Sequence, residues 1–121
     1  MYEADEDRLS SAEQLAEYNP PAAATALSAI ARDRTVGDEV RLSAAELLAD
    51  VDPQSAAPAC LAIASDRRVG DEVRLSAAEL LADVDPRNAA PACLAIASDR
   101  TVGDEVRRSA AEQLAVLAPI A

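Results

Sequence analysis

VGDEVRLSAAELLADVDPQSAAPACLAIASDRR (36–68) runs directly into VGDEVRLSAAELLADVDPRNAAPACLAIASDRT (69–101), and only Gln54/Arg87, Ser55/Asn88 and Arg68/Thr101 differ between the two. A shift of 33 residues therefore lays the middle of the chain on itself. A third copy starts at Val102 and loses the pattern after Ala115, while DEDRLSSAEQLAEYNP (5–20) matches DEVRLSAAELLADVDP in outline. Self-similarity at such a period belongs to stacked arrays, in which one unit cannot bury its apolar face alone and its neighbours complete it.

Each unit reads as two helices. From Asp38 to Val51, the residues Val40, Ala44, Leu47, Leu48 and Val51 recur at spacings of three and four, and Glu39, Ser43, Glu46 and Asp50 fall on the other side. Gly37 or Asp38 caps this helix, and Glu39 sits in the first turn, where the helix dipole favours negative charge. Asn19-Pro20, Asp52-Pro53 and Asp85-Pro86 start the other helix of each pair, with Asp or Asn as the cap and Pro at the first position. That second type, AAPACLAIAS (56–65), is apolar nearly all round and so belongs between neighbours. Pro58 and Pro91 lie in its first turn or slightly inside it, and Val69 is placed to plug the open end of a helix pair. The spacing predicts seven helices, at about 5–18, 21–32, 38–51, 54–65, 71–84, 87–98 and 104–117. The chain forms one repeat domain, 1–121, with an N-terminal capping half-repeat at 1–20, repeats at 21–53 and 54–86, and a C-terminal repeat and cap at 87–121.

Composition agrees with an all-α reading. Alanine fills 30 of 121 positions, glycine 3, and only Tyr2 and Tyr18 are aromatic, which starves strands of the residues they pack with. The formal charge is −11, from 22 acidic residues against 11 arginines, and a phosphate-bearing partner needs the opposite balance. Neither nucleic acid nor membrane is expected as a partner. No apolar run approaches the roughly 20 residues of a bilayer span, and the acidic start MYEADEDRLS is unlike a secretory signal. Two cysteines, Cys60 and Cys93, suit a reducing, cytoplasmic setting and are read as small buried residues. With no histidine, and with its acid pairs repeated in every unit, the chain is expected to be no enzyme and to hold no metal or cofactor.

At VRLSAAELLADVD followed by AAPACLAIA, the unit resembles short HEAT-like repeats, of the kind found in bilin-lyase-type proteins and in artificial alpha-repeat scaffolds. The matching residues are Val40-Arg41, Ala44-Ala45, Leu48 and Val51, and again Val73-Arg74, Ala77-Ala78, Leu81 and Val84. The resemblance implies a right-handed alpha-alpha superhelical solenoid of about seven helices. It also implies that the aspartate closing one helix pairs with the arginine of the next, as Asp33–Arg41, Asp66–Arg74 and Asp99–Arg107. Ankyrin repeats share the 33-residue period, but this chain has no TPLH-like turn.

HEAT-like proteins line their concave surface with the helix type of 38–51. Here that side carries Glu39, Leu42, Ser43, Glu46 and Asp50, then Glu72, Leu75, Ser76, Glu79 and Asp83, then Glu105, Arg108, Ser109 and Glu112. Such a groove would attract a basic peptide or protein; the alternative is that these charges only solvate the helices. Arg41, Arg74 and Arg107 either bind an anion or, the preferred reading, hold the stack through carboxylates and carbonyls.

The two termini differ. Asp7, Gln14 and Tyr18 replace Val40, Leu47 and Val51, as suits a capping helix, whereas LADVDPRN becomes the greasier LAVLAPIA at the other end. Val116, Leu117 and Ile120 are therefore candidates for self-association, as a homodimer contact through the C-terminal helix, or for contact with a further repeat. The function expected is a non-catalytic protein-interaction scaffold whose acidic concave face binds a protein or peptide. Alternatives are a sensor or regulatory fragment of a larger signalling ATPase, a structural or engineered self-assembling unit, and, last, an enzyme resembling the bilin lyases.

Overall fold

Proline and aspartate punctuate the chain where helices must begin. A computed structural model describes residues 4–117 and contains α1 (Asp5–Leu15), α2 (Pro20–Arg32), α3 (Asp38–Val51), α4 (Pro53–Ala64), α5 (Asp71–Val84), α6 (Pro86–Ser98) and α7 (Asp104–Leu117). No strand occurs among the described residues. Pro20, Pro53 and Pro86 each occupy the first helical position, where the missing N–H has no intrahelical partner to lose. Asn19 caps α2 by accepting the N–H of Ala22 at 3.2 Å. Asp52 and Asp85 do not cap in that way. The Ser55 hydroxyl donates to Asp52 at 2.7 Å and the Asn88 amide donates to Asp85, so these side chains take the carboxylates that would otherwise meet backbone. Pro58 and Pro91 lie inside α4 and α6.

α1 stops at Leu15, short of the expected 18, and Ala16–Tyr18 form a turn. Tyr18 occupies the place of the half-buried Val51 and is 84% exposed. With nothing to pack against, the last turn has no tertiary support, and short helical segments depend on such support.

Neighbouring helices pack in succession. The closest pairs are α2 on α3, α4 on α5 and α6 on α7; α3 on α4 and α5 on α6 come next, and looser contacts join each helix to the next but one. The odd-numbered helices sort their residues by angle. In α3, Arg41, Ala44, Ala45 and Leu48 are buried, Glu39, Glu46 and Asp50 are exposed, and half-buried Val40, Leu47 and Val51 flank one side while Leu42 and Ala49 flank the other. The even-numbered helices bury Leu27, Ile30, Cys60, Ile63, Cys93 and Ile96 in one continuous core with Leu48 and Leu81. Small residues at 44, 45, 77 and 78 let those helices approach closely. Val36, Val69 and Val102, each about as buried as the core, close the turns between pairs.

The arginine ladder runs in a direction other than the one expected. Arg41 pairs with Asp66, not Asp33, at 3.2 Å; Arg74 pairs with Asp99, not Asp66, at 3.1 Å; and Asp33 receives Arg8 at 3.6 Å. The reason is the Nε donor. Arg41 Nε donates to the Ala31 carbonyl at the end of α2 (2.9 Å) and Arg74 Nε to the Ala64 carbonyl (3.0 Å), so each guanidinium is anchored in its own pair and its free nitrogen projects to the following turn. Each turn aspartate also organises its own loop. Asp99 accepts the N–H and hydroxyl of Thr101, Asp33 those of Thr35, and Asp66 the N–H of Arg68. The Thr101 hydroxyl and N–H, then Arg74, hold the Asp99 carboxyl far below the usual carboxylate range. Burial pushes the Asp66 carboxyl up, but the Arg68 N–H, Arg41, Arg34 and the Arg68 charge outweigh it and lower it on balance. A second thread joins the units. Asp38 accepts the Gly70 N–H at 2.8 Å and Asp71 the Gly103 N–H at 2.9 Å.

Candidate functional site

Burial of the arginines decides what the odd-numbered helices show to solvent. Arg41 and Arg74 are the basic residues of α3 and α5, and both side chains are turned into the stack, 2% and 3% exposed, and neutralised there. What remains outside is acidic. Glu39, Glu46 and Asp50 on α3, Glu72, Glu79 and Asp83 on α5, and Glu105 and Glu112 on α7 are all exposed, and Ser43, Ser76 and Ser109 are half-buried between them. Arg108, also exposed, is a cation that α7 adds to this side.

The structure brings part of this set together. Glu72, Leu75 and Ser76 of α5 line one shallow open groove with Glu105 and Ser109 of α7. Val106, at the register of Val40 and half-buried like it, lines the groove too. Leu42 and Leu75 are half-buried and pack against the core on the side toward the next odd-numbered helix, and Leu75 still lines this groove beside the carboxylates. Arg108 takes the same register position in α7 and is exposed.

Other candidates are placed plainly. Cys60 and Cys93 are fully buried; burial first, and Glu46 second, push the Cys60 thiol up to about 11, and burial with Glu79 raises that of Cys93. A neutral thiol in such surroundings is a poor nucleophile. Of the proposed self-association residues, Val116 is 68% exposed, whereas Leu117 is 3% exposed and spent inside the stack, and Ile120 lies outside the described residues. Among the described residues, no group of three or more His, Cys, Asp or Glu is arranged to hold a metal ion. No helix among them is long and apolar enough to cross a membrane. The arrangement therefore offers a charged surface with apolar seams, whose carboxylates are able to accept hydrogen bonds from cationic and N–H donor groups. Compared with protein-family models, with curated protein sequences and with solved structures, the chain matches none.

Proposed function

We propose that the chain is a right-handed superhelical solenoid of HEAT-like repeats and a protein-interaction scaffold, whose odd-numbered helices line a concave acidic face that receives a basic peptide or protein segment. One observation carries this reading: the arginines of α3 and α5 are sequestered on Asp66 and Asp99, so the outer faces of those helices carry carboxylates and no cation. A random solvated face mixes both signs. Segregation of this kind produces a field that steers an oppositely charged partner and fixes its orientation. The repeat supplies the same carboxylate pattern at regular steps along the stack, which suits an extended ligand with arginines or lysines at matching intervals. The role is binding, without chemistry on the partner.

Titration calorimetry with an arginine-rich peptide tests the proposal. Affinity should fall steadily as salt rises, because exposed charges are screened within about 8 Å at physiological ionic strength. The double variant Glu46→Lys, Glu79→Lys should abolish binding while leaving the helical signal unchanged, since both positions are exposed. Unaltered affinity in that variant removes the acidic face from the function.

A further inference from the structure

Two arginines and one carboxylate meet in a cavity bordered by the ends of α4 and α6. Asp99 accepts five hydrogen bonds there: Arg67 Nε and Nη2 at 3.3 Å each, Arg74 Nη1 at 3.1 Å, and the N–H and hydroxyl of Thr101 at 2.9 and 2.6 Å. A carboxylate offers about four lone-pair sites, so Asp99 has none to spare. The donors are not used up. Arg74 gives Nε to the Ala64 carbonyl and Nη1 to Asp99, and its Nη2 has no partner among the described residues. The Arg74 side chain is only 3% exposed, yet no fully buried polar side-chain atom among those residues lacks a partner, so Nη2 is open to the cavity that Arg74 lines. Arg67, 70% exposed, likewise has Nη1 without a partner among them.

We infer that this cavity is a phosphate site, for the free ion or for the terminal phosphate of a small ester. Its volume, about 280 Å³, is at the small end of ligand sites, which run from about 300 to 1,000 Å³. Two guanidiniums face one carboxylate in its lining, a local excess of one positive charge in a chain of net charge −11. Arg74 Nη2 reaches the anion from inside the stack, Arg67 from the turn before α5, and the exposed Ser65 and Ser98 offer hydroxyls from the ends of α4 and α6. Donors on four separate elements suit a tetrahedral oxyanion better than a carboxylate, whose two oxygens share a plane. Carbonyls at helix ends oppose an anion, but those of Ala64 and Ala97 are already taken by Arg74 Nε and Arg107 Nε. The site is particular to this repeat. One repeat earlier Arg32 stands in the place of Ser65, and Arg34 approaches Asp66 only to 3.6 Å. None of the lining residues belongs to the acidic face.

The test titrates the full chain with inorganic phosphate at constant ionic strength and follows backbone amide signals by NMR. Those of Ser65, Arg67, Ala95 and Ser98 should move saturably, while those of Glu46 and Glu79 on the acidic face stay still. Arg67→Ala should weaken binding at least about tenfold, since a charge-assisted hydrogen bond is lost. Ser98→Asp puts a carboxylate into the cavity and should abolish binding. Both positions are exposed, so the circular dichroism spectrum should be unchanged. Arg68→Ala removes an exposed arginine of the same turn that does not line the cavity, and should leave binding intact. Glycerol 3-phosphate, titrated in parallel, binds more tightly than inorganic phosphate if the site takes an ester and more weakly if it takes the free ion. The inference is overturned if phosphate moves none of these signals, if Arg67→Ala leaves affinity unchanged, if Arg68→Ala weakens binding as much as Arg67→Ala, or if acetate binds as tightly as phosphate.

Discussion

The end helices α1 and α7 both expose faces that interior helices bury, and they dress them differently. On α1, Ser11 is exposed at the register of the fully buried Ala44, Ala77 and Ala110, and Asp7 and Gln14 on the helix, with Tyr18 in the turn after it, replace aliphatic residues along the adjoining side. On α7, alanine is retained at 111 and 115, and Val116 stands 68% exposed where α3 and α5 have Asp50 and Asp83. The pattern that builds an interior helix is thus edited toward water at one end and away from it at the other. The contrast also separates two kinds of burial. Residues at the Ala44 register are covered by the preceding helix, as Ser11 on α1 lacks and Ala110 on α7 has, and residues at the Ala45 register by the following helix, as Ala12 on α1 has and Ala111 on α7 lacks.

The largest expected effect breaks this comparison most directly. Ala78→Glu places an unpaired carboxylate beneath α6 at a fully buried site, and the loss should reach several kcal/mol, enough to unfold the central repeats. Ala111→Glu, at the same register on α7, should change stability by no more than about 0.5 kcal/mol. Urea denaturation of the two variants checks the pair, and similar losses would mean that the C-terminal face is covered in solution.

Arg41 and Arg107 give the next contrast. Arg41→Ala strips the buried Asp66 of its closest cation and the Ala31 carbonyl of its donor, and should cost about 3–5 kcal/mol. Arg107→Ala should cost about 1 kcal/mol, chiefly the bond to Ala97, because its partner Asp104 is exposed. Equal costs measured by chemical denaturation would show that the ladder does not draw its strength from burial.

The smallest effect is read in pH. The Asp99 carboxyl is depressed in the folded chain, so its stabilising contribution is complete above the ordinary aspartate value of about 3.9 and is lost as pH falls through the lower, folded-state value. The stability deficit of Asp99→Asn should therefore be constant from neutral pH down to about 5 and shrink below about 4. A deficit that is flat down to acid unfolding would sever the carboxylate from the ladder.

Helix count and nearly all boundaries were legible from the 33-residue pattern, because Pro starts and Gly-Asp starts act locally. The early end of α1 was not, since it depends on whether residue 18 has a neighbour. The acidic face was legible as a set of exposed residues, but the half-burial of Leu42 and Leu75 was not. A leucine at that angle reads as outward on an isolated helix and becomes seam only when the next odd-numbered helix lies beside it. The direction of the arginine ladder was equally hidden. Asp33 and Asp66 offer the same carboxylate to Arg41 in sequence terms, and only the anchoring of its Nε on Ala31 selects the farther one.

The amino-acid sequence by itself determined helices, turns and the separation of acidic from apolar positions, since backbone propensity, capping and periodicity are properties of a few adjacent residues. Tertiary packing alone decided which of two equivalent charges pair, which flanking leucines are half-buried in seams and which alanines stay open at α7. Those outcomes depend on distances between residues some 25 to 33 positions apart, set by how one helix lies on another.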